Sequence, residues 1–357
     1  MCISLIGFGA ASAWQAISVS ILISRVKDPE SAVRRDATNA AALELSKCGW
    51  RPSPFCDSLR TVKALIAALK DPDAEVRINA ASALGFSRNP RAVEPLIATL
   101  KETNDEIREA TRAMNNRAVV DGSEDADSGA RCAAAEALSE IGDPRAIEPL
   151  IAALEDTNVS VRIAAATALG ALKDRRAIEP LIAVLKDMDD FSRGQAARSL
   201  GSFKDPRVAE TLIEALRDDW LHGTAAETLD RIKGDPGVAG QLIAAITDPD
   251  PRVRGVMAEL LGGIDDPGAS KPLIDTLLKD PDDNVRLNAA KALVRRGGPA
   301  SEAALIAVLD TRPTRDIANW LLNSGNPKLV HAVKSRFSTT VREIEIPRTP
   351  ADPYSTH

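Results

Sequence analysis

Apolar residues recur along the chain with the period of an α-helix. In the line AIEPLIAALED (residues 146–156), the apolar residues from Ile147 to Leu154 stand at positions i, i+3, i+4 and i+7, on one side of a helix. The line VSVRIAAATALGAL (159–172) repeats this spacing with valine, alanine and leucine. The chain lacks the alternation of apolar and polar residues that half-buried strands show. The pattern therefore predicts pairs of amphipathic helices and an all-α fold.

The predicted helix pair is a unit that recurs. The line DPRAIEPLIAAL at residues 143–154 returns 31 positions later as DRRAIEPLIAVL at residues 174–185. When the units are aligned on a Val-Arg dipeptide, Arg131, Arg162 and Arg193 follow one another at the same step of 31 residues. Such hairpins cannot bury their apolar sides alone and therefore stack on their neighbours. We predict a one-dimensional stack of about nine or ten helical hairpins.

Capping residues, prolines and glycines mark the predicted helices. Asp143 sits where an N-cap is needed, and Pro144 follows at the first helical position, where a missing N–H has no cost. Prolines about six residues beyond the cap predict a built-in bend in each first helix; they are Pro95, Pro149, Pro180 and Pro272. Glycines late in the second helices predict left-handed C-caps, at Gly85, Gly170, Gly201 and Gly262.

An acidic residue precedes most of the repeated arginines by six positions. The pairs are Asp71 with Arg77, Asp156 with Arg162, Asp187 with Arg193, Asp248 with Arg254 and Asp280 with Arg286. We interpret them as a structural ladder, in which the acid caps the second helix and accepts charge-assisted hydrogen bonds from arginines of its own or the neighbouring unit. A catalytic or ligand-binding row is the alternative. His222 stands near the place where a further arginine would be expected.

The repeated line resembles a known family. DPRAIEPLIAALEDTNVSVRIAAATALG is similar to a HEAT-like repeat of the kind named after phycobilisome lyases, and the resemblance extends over roughly residues 15–335. It implies a right-handed α-solenoid with the first helices on the convex side and the second helices lining the concave side. The HEAT family is also similar in having an Asp–Arg ladder.

Three regions depart from the repeat. Residues 46–58 (SKCGWRPSPFCDS) lengthen one unit. The acidic stretch at residues 119–129 (VVDGSEDADSG) lies where the repeat step shortens to 23 residues, which predicts that one first helix is missing or remodelled. We assign residues 1–336 to the solenoid and expect the Pro-rich tail, residues 337–357, to be disordered.

Composition narrows the class of partner. The formal net charge is −6 and only 3% of residues are aromatic, so the chain offers neither general attraction for nucleic acid or anionic lipid nor a row of stacking side chains. A DNA-binding protein of the HEAT-like glycosylase type remains a lesser alternative. The four cysteines lack metal-ligand or disulfide-framework spacing, so we expect reduced thiols in a cytoplasmic protein. The apolar N-terminal segment lacks the basic start of a signal peptide, and we interpret it as a terminal helix and capping turn, with a targeting sequence as the alternative.

The sequence contains few groups for catalysis. Its three histidines form no HExxH and no His-Glu pair, unlike the di-iron sites of HEAT-repeat deoxyhypusine hydroxylases, and there is no GxxxxGK[ST], GxSxG or GxGxxG motif. Asp121, Asp125 and Asp127 have a spacing that hints at a calcium loop, but Ala126 and Cys132 stand where glycine and glutamate are required. We therefore expect no catalytic residue, no cofactor and no metal.

The pattern favours a protein-interaction scaffold. If the apolar stripe is phased as above, the second helices carry outward positions without a packing role: Ile78, Asn79, Ser82, Ile163, Thr167, Gln195, Arg198, Glu259, Asn288 and Lys291. Solenoid faces of this kind bind extended peptides or helices. We predict a protein or peptide partner in the groove, without nucleic acid or membrane. The family resemblance implies one alternative, a bilin lyase subunit or a chaperone of the chromophore or phycobiliprotein, which would make the protein a phycobilin lyase-like enzyme.

Overall fold

The computed structural model of the chain describes residues 21–46, 59–101, 127–187, 189–235 and 237–337. These residues form helices and turns, without a strand among them. The chain divides into two compact units, residues 1–203 and 204–357. Most of the loop at 46–58, most of the acidic stretch at 119–129 and nearly all of the tail at 337–357 lie outside the described residues, so their predictions stay predictions.

The first unit is a stack of helical hairpins. Its helices are α1 (Ser31–Ser46), α2 (Leu59–Ala68), α3 (Ala74–Ser87), α4 (Val93–Lys101), α5 (Ser128–Ile141), α6 (Ile147–Ala153), α7 (Val159–Leu172), α8 (Ile178–Asp187) and α9 (Asp190–Leu200). The pairs α2–α3, α4–α5, α6–α7 and α8–α9 pack as hairpins. The second helices α1, α3, α5, α7 and α9 pack on one another in this order.

The second unit repeats the arrangement. Its helices are α10 (Pro206–Ala215), α11 (His222–Ile232), α12 (Val238–Ala245), α13 (Pro251–Leu261), α14 (Ser270–Lys279), α15 (Asp283–Arg296), α16 (Pro299–Thr311), α17 (Arg315–Leu322) and α18 (Pro327–Arg336). The pairs α10–α11, α12–α13 and α14–α15 form hairpins, and α11, α13, α15 and α17 pack on one another in sequence. The predicted all-α solenoid of HEAT-like hairpins is thereby confirmed.

Fully buried leucines recur in the core, in the middle of the first helices and towards the C-terminal ends of the second helices. In the first helices these leucines are 0% exposed, at Leu96, Leu150, Leu181, Leu212, Leu242 and Leu273. The second helices contribute equally buried leucines at Leu84, Leu138, Leu169, Leu229, Leu261 and Leu293. Burying each leucine side chain contributes about 1.5–3 kcal/mol, which short helices need because they are marginal alone. Alanines beside the leucines let the second helices approach closely.

On either side of the shortened step, the described helices of the first unit form a hairpin. Helix α5 packs both on the preceding second helix α3 and on α4, which precedes it in the chain. Helix α4 is therefore the first helix of the hairpin that α5 completes, and residues 102–126 connect the two. Arg108 lies outside the described residues, so the expectation that one first helix is missing or remodelled there stays a prediction.

The recurring prolines do not bend the interior of an α-helix. Asp143 caps a 3-10 turn at Pro144–Ala146, and the α-helix begins only at Ile147. Pro149 therefore lies in the first turn of α6, where a backbone N–H has no partner within the helix. The turns Pro90–Ala92, Arg175–Ala177 and Pro267–Ala269 place Pro95, Pro180 and Pro272 in the same way.

The glycines near the ends of the second helices are not left-handed C-caps, and three of them lie in close contact with a neighbouring helix. A Cβ on Gly85 would lie 2.7 Å from the Cα of Ala137, and one on Gly262 would lie 2.8 Å from the Cα of Ala292. Gly85 and Gly170 lie inside their helices, while the C-caps Gly201 and Gly262 have negative φ. The left-handed C-caps after α3 and α7 are instead Arg88 and Lys173, with φ of 49° and 55°. The sequence prediction mistook an interhelical contact for a cap.

Candidate functional site: the arginine ladders and the second-helix face

The repeated arginines bind the turn between the two helices of their own hairpin. Nη1 of Arg77 donates to the main-chain carbonyls of Asp71 and Pro72 at 2.7 and 3.0 Å. Nη1 of Arg162 donates to Asp156 and Thr157 at 2.7 and 3.1 Å. Arg254 and Arg286 make the same contacts to the carbonyls of Asp248 and Asp280, each at 2.9 Å. The six-residue spacing thus pairs the arginine with the aspartate's carbonyl and not with its carboxylate.

The carboxylate of the same aspartate binds the arginine of the preceding hairpin. Arg34 forms two parallel hydrogen bonds to Asp71, at 2.7 and 2.9 Å. Arg131 holds Asp156 in the same way at 2.9 and 3.0 Å. In the second unit, Arg254 holds Asp280 at 2.7 and 3.0 Å. Arg77 continues the series to Asp127.

These bonds define the Asp–Arg ladder. Its forked arginine–carboxylate bonds are the stronger class of charge-assisted hydrogen bond. Hydrogen bonding to Asp71 raises the pKa of Arg34, and hydrogen bonding to Asp280 raises that of Arg254.

The aspartates of the ladder do not cap the second helices, which corrects a further prediction. The N-cap of α3 is Asp73, whose side chain accepts from the backbone N–H groups of Glu75 and Val76. Asp71 instead accepts from the backbone N–H of Asp73 at 2.9 Å. Asp156, Asp248 and Asp280 likewise precede the caps Asn158, Asp250 and Asp282 by two residues. The ladder aspartate lies in the turn before the second helix, where its carboxylate accepts a backbone hydrogen bond. The residue two positions later is the N-cap of the helix.

We call each contact between an arginine and the carboxylate of the next hairpin a rung. The rung after Arg162 uses the carboxylate of Asp189, and the side chain of Asp187 lies outside the described part of the chain. Asp187 ends α8, and the carboxylate that Arg162 binds belongs to Asp189, the N-cap of α9. Nε of Arg193 donates to the carbonyl of Leu185 at 3.0 Å. Burial raises the pKa of Asp189, but hydrogen bonds from Arg162 and Ser192 outweigh it and hold that pKa well below its ordinary value of 3.8. The structure therefore assigns this rung to Asp189.

A different residue completes the rung at His222. The Nδ1 atom of His222 lies 2.7 Å from the carbonyl oxygen of Leu216, six residues before it, so the histidine makes the intra-hairpin contact of a ladder arginine. It does not hold the next carboxylate. Nη2 of Arg217 donates to Asp248 at 2.6 Å instead.

A second ladder, which the sequence analysis missed, joins neighbouring first helices. Arg145, in the turn before α6, forks onto Asp143 of the same turn at 2.7 and 3.0 Å and reaches Glu94 of α4 at 3.0 Å. Arg176 repeats this with Asp174 at 2.9 and 3.0 Å and with Glu148 of α6 at 3.3 Å. We call these contacts the Arg–Glu ladder. The repeated motif RAIEP could have predicted this ladder, but the sequence analysis assigned no role to its arginine and glutamate.

The ten outward positions predicted on the second helices define what we call the second-helix face. Thr167, Arg198 and Glu259 are exposed, and the other seven are half-buried. In the first unit, Ile78 and Ile163 give the face an apolar component, whereas Asn79 and Gln195 are polar.

Several side chains of this face contact their own or neighbouring helices. Nδ2 of Asn288 donates to the carbonyl of Gly255 at 3.2 Å, and the Thr167 hydroxyl donates to the carbonyl of Ile163 at 2.7 Å. The Nζ atom of Lys291 lies 5.6 Å from the centre of the Trp320 ring, a cation–π distance. Trp320 is 39% exposed and was not among the predicted positions. It extends the face onto α17.

A cleft of about 630 Å³ in the second unit lies beside the Asp–Arg ladder. Its charged lining residues already have partners, since Arg254 holds Asp280 and Lys279 pairs with Asp275 at 2.5 Å. Within the residues that the structure describes, no cluster of histidine, cysteine, aspartate or glutamate could hold a metal ion. In the same residues, none of the helices has the length and apolar character needed to cross a membrane.

The stacked hairpins and their ladders define an α-helical repeat protein of the solenoid class. A family model described as HEAT repeats matches residues 19–115, 147–230 and 239–324, and the chain belongs to this family. A model described as PBS lyase HEAT-like repeat matches residues 130–156. The family prediction is confirmed. No curated protein matches the sequence.

Solved structures of proteins with different functions have a similar fold. The complex of CpcE and CpcF of phycocyanin lyase from Nostoc is 23% identical, with a TM-score of 0.38, covering 73% of this chain and 96% of that one. Human deoxyhypusine hydroxylase is 19% identical, with a TM-score of 0.34, covering 91% and 98%. The karyopherin Kap121p bound to the SUMO protease Ulp1p is 15% identical, with a TM-score of 0.48, covering 90% and 37%. The likeness is one of fold alone.

Proposed function

We propose that this protein is a non-catalytic scaffold that binds a partner protein or peptide along the second-helix face, which the family resemblance makes the concave side. The observation that carries the proposal is the burial pattern of the second helices. Residues with a packing role, such as Ala80 and Ala165, are 0% exposed, whereas none of the ten face positions is buried. Within each unit, a row of positions that is left partly open on successive second helices suits an extended partner. The spacing of the four cysteines lacks the pattern of a disulfide framework, which supports a cytoplasmic location.

The chemistry of the face indicates what such a partner would offer. Half-buried Ile78 and Ile163 would accept apolar side chains, while exposed Arg198 and Glu259 carry opposite charges. Charges at the edge of an interface act mainly on the encounter rate and its salt dependence, and apolar contacts supply most of the affinity. We therefore expect a partner segment with apolar anchors and mixed charge.

Charge reversal tests the proposal once a partner has been captured by pull-down and identified by mass spectrometry. Arg198→Glu and Lys291→Glu should weaken binding about tenfold, and the loss should shrink at higher salt. The matched controls are Lys186→Glu on α8 and Lys271→Glu on α14, because both lysines are exposed on first helices. Glu148 is unsuitable as a control because it pairs with Arg176. Binding lost in the controls but kept in the face variants would refute the proposal.

A bilin lyase or chromophore chaperone remains the second candidate, because one repeat matches the PBS lyase HEAT-like model. Incubating the purified protein with a free bilin would test it. A shifted and intensified absorption band, together with pigment transfer to a phycobiliprotein, would favour the lyase. An unchanged bilin spectrum would favour the scaffold.

A further inference from the structure

One turn of the first unit lacks both acids of the Arg–Glu ladder. Arg91 lies in the turn Pro90–Ala92 at the position that Arg145 and Arg176 occupy in the next two turns. Each of those arginines binds an aspartate of its own turn and a glutamate of the preceding first helix. The cap of the Arg91 turn is Asn89, which is neutral and accepts from the backbone N–H of Arg91. The first of the two acids is therefore absent.

A lysine replaces the second acid. The line TVKALIAAL at residues 61–69 aligns with AVEPLIATL at 92–100, so that Lys63 of α2 takes the place of Glu94 of α4. The turn of Arg91 packs against α2, as the turn of Arg145 packs against α4. At the position from which a glutamate would reach Arg91, Lys63 therefore places a second cation.

The substitution reverses the charge of the rung. At Arg145 one arginine faces the two carboxylates of Asp143 and Glu94, which leaves one negative charge. At Arg91 two cations face no carboxylate of the rung, which leaves two positive charges. Among the described residues, Arg91 and Lys63 are exposed and have no salt bridge, and exposed Arg60 adds a further cation on α2. Residues 59–68, which form α2, contain no acidic side chain.

We propose that Arg91 and Lys63, with Arg60 beside them, bind an acidic segment of a partner protein, whose carboxylates take the places of the missing aspartate and glutamate. The neighbouring rungs supply the chemistry, because at this position the guanidinium binds carboxylates, one as a fork and one from the adjacent helix. Arginine forks match carboxylate geometry, and unpaired exposed cations attract acidic partners over several ångströms. This site lies on the first helices and their turns, so it is independent of the second-helix face.

Completing the rung from within the chain tests the site. The probe is a fluorescein-labelled decaglutamate peptide, followed by fluorescence polarisation at low and high salt, with decaglutamine as the neutral peptide. The double variant Lys63→Glu with Asn89→Asp restores both acids, and we expect it to weaken decaglutamate binding by about tenfold or more. Asn89→Asp alone keeps a good N-cap and should give an intermediate loss. Lys186→Glu, on another first helix of the same unit, should change binding by less than about twofold.

Three results of the peptide-binding experiments, and one further control, would overturn the proposal. The first is the absence of saturable binding to decaglutamate, and the second is an equal loss of binding in Lys186→Glu. The third is that a phosphoserine peptide or an RNA of equal charge binds more strongly than decaglutamate, and that the double variant abolishes this binding too. Binding that appears only after Asp121, Glu124 and Asp125 are neutralised would also contradict it, because the occupant would then be this chain's own acidic stretch. Circular dichroism of each variant shows whether its fold is intact. A face variant such as Arg198→Glu should bind decaglutamate normally, which separates this test from that of the proposed function.

Discussion

The Asp–Arg ladder and the Arg–Glu ladder join the same two hairpins, α6–α7 and α8–α9, in different environments. Arg162 of the first ladder is 11% exposed and donates to two carbonyls, the Ser192 hydroxyl and the carboxylate of Asp189. Arg176 of the second ladder is 49% exposed, and its partner Glu148 is 69% exposed. The Asp189 side chain of the first pair is 30% exposed, so solvent screens the second pair more strongly than the first.

This difference indicates which ladder tolerates change. A buried carboxylate left without its arginine has a large desolvation cost, whereas an exposed pair contributes little. Where the buried ladder loses its arginine at His222, another arginine takes over the carboxylate. Where the exposed ladder loses both acids, at Arg91, nothing in the described chain replaces them. We therefore expect that exposed rungs tolerate substitution and that loss of a buried rung lowers stability.

The largest effect is expected from removing the buried arginine. Arg162→Ala should lower the free energy of unfolding by about 1–3 kcal/mol, because two carbonyls and a partly buried carboxylate lose their donor. Urea denaturation of the purified proteins measures the change. Unchanged stability combined with a lost ligand would show that the Asp–Arg ladder is a binding row, as the alternative interpretation of its sequence holds.

A smaller effect should appear in acid. The pKa of Asp189 is lowered, so this carboxylate stabilises the fold above about pH 3.8, and its contribution is lost as the pH falls through the lowered folded-state value. Asp189→Asn keeps an N-cap but removes the charge. We expect the stability difference between wild type and variant to be largest at neutral pH and to narrow below pH 3.8. Asp174→Asn in the exposed ladder should show the same trend with smaller amplitude, and an equal amplitude would contradict the comparison.

The smallest effect belongs to the exposed arginine. Arg176→Ala should lower the free energy of unfolding by about 0.5 kcal/mol or less, because both of its ion pairs are solvated. Adding salt should reduce this difference further, while leaving most of the effect of Arg162→Ala in place. Urea denaturation at two salt concentrations tests both statements. A loss as large as that of Arg162→Ala would mean that exposure does not separate the two ladders.

The helical hairpins and their order could be predicted from sequence because apolar period and repeat spacing act within single helices. The leucine positions, the turn cap Asp143 and the ladder arginines followed from that period. The partners of the ladder could not, because a spacing of six residues does not distinguish a carbonyl from a carboxylate. Gly85 was misassigned for a similar reason. Its contact with Ala137 depends on how closely two helices approach, and no local pattern encodes that distance.

The residues of the second-helix face were predicted only in part. The positions from Ile78 to Lys291 lie outside the core, as the phase of the stripe implies, but Trp320 was missed because it lies on the short helix α17. The rung at Arg91 could be recognised as incomplete only by comparison with the complete rungs at Arg145 and Arg176. A substitution such as Lys63 carries information when the structure shows what its equivalents touch.

The replacement at His222 has a consequence for how such a chain can vary. Because Arg217 reaches Asp248 from the preceding turn, the carboxylate keeps a partner although the usual column of the repeat no longer supplies one. Two donors can therefore coexist before one is lost, and the order of substitutions matters: the new arginine must come first. A path in that order never passes through an orphaned Asp248. The residue at one repeat position can change in this way while the aspartate carboxylate keeps an arginine partner. An alignment that compares the repeats position by position would record this change as the loss of the contact.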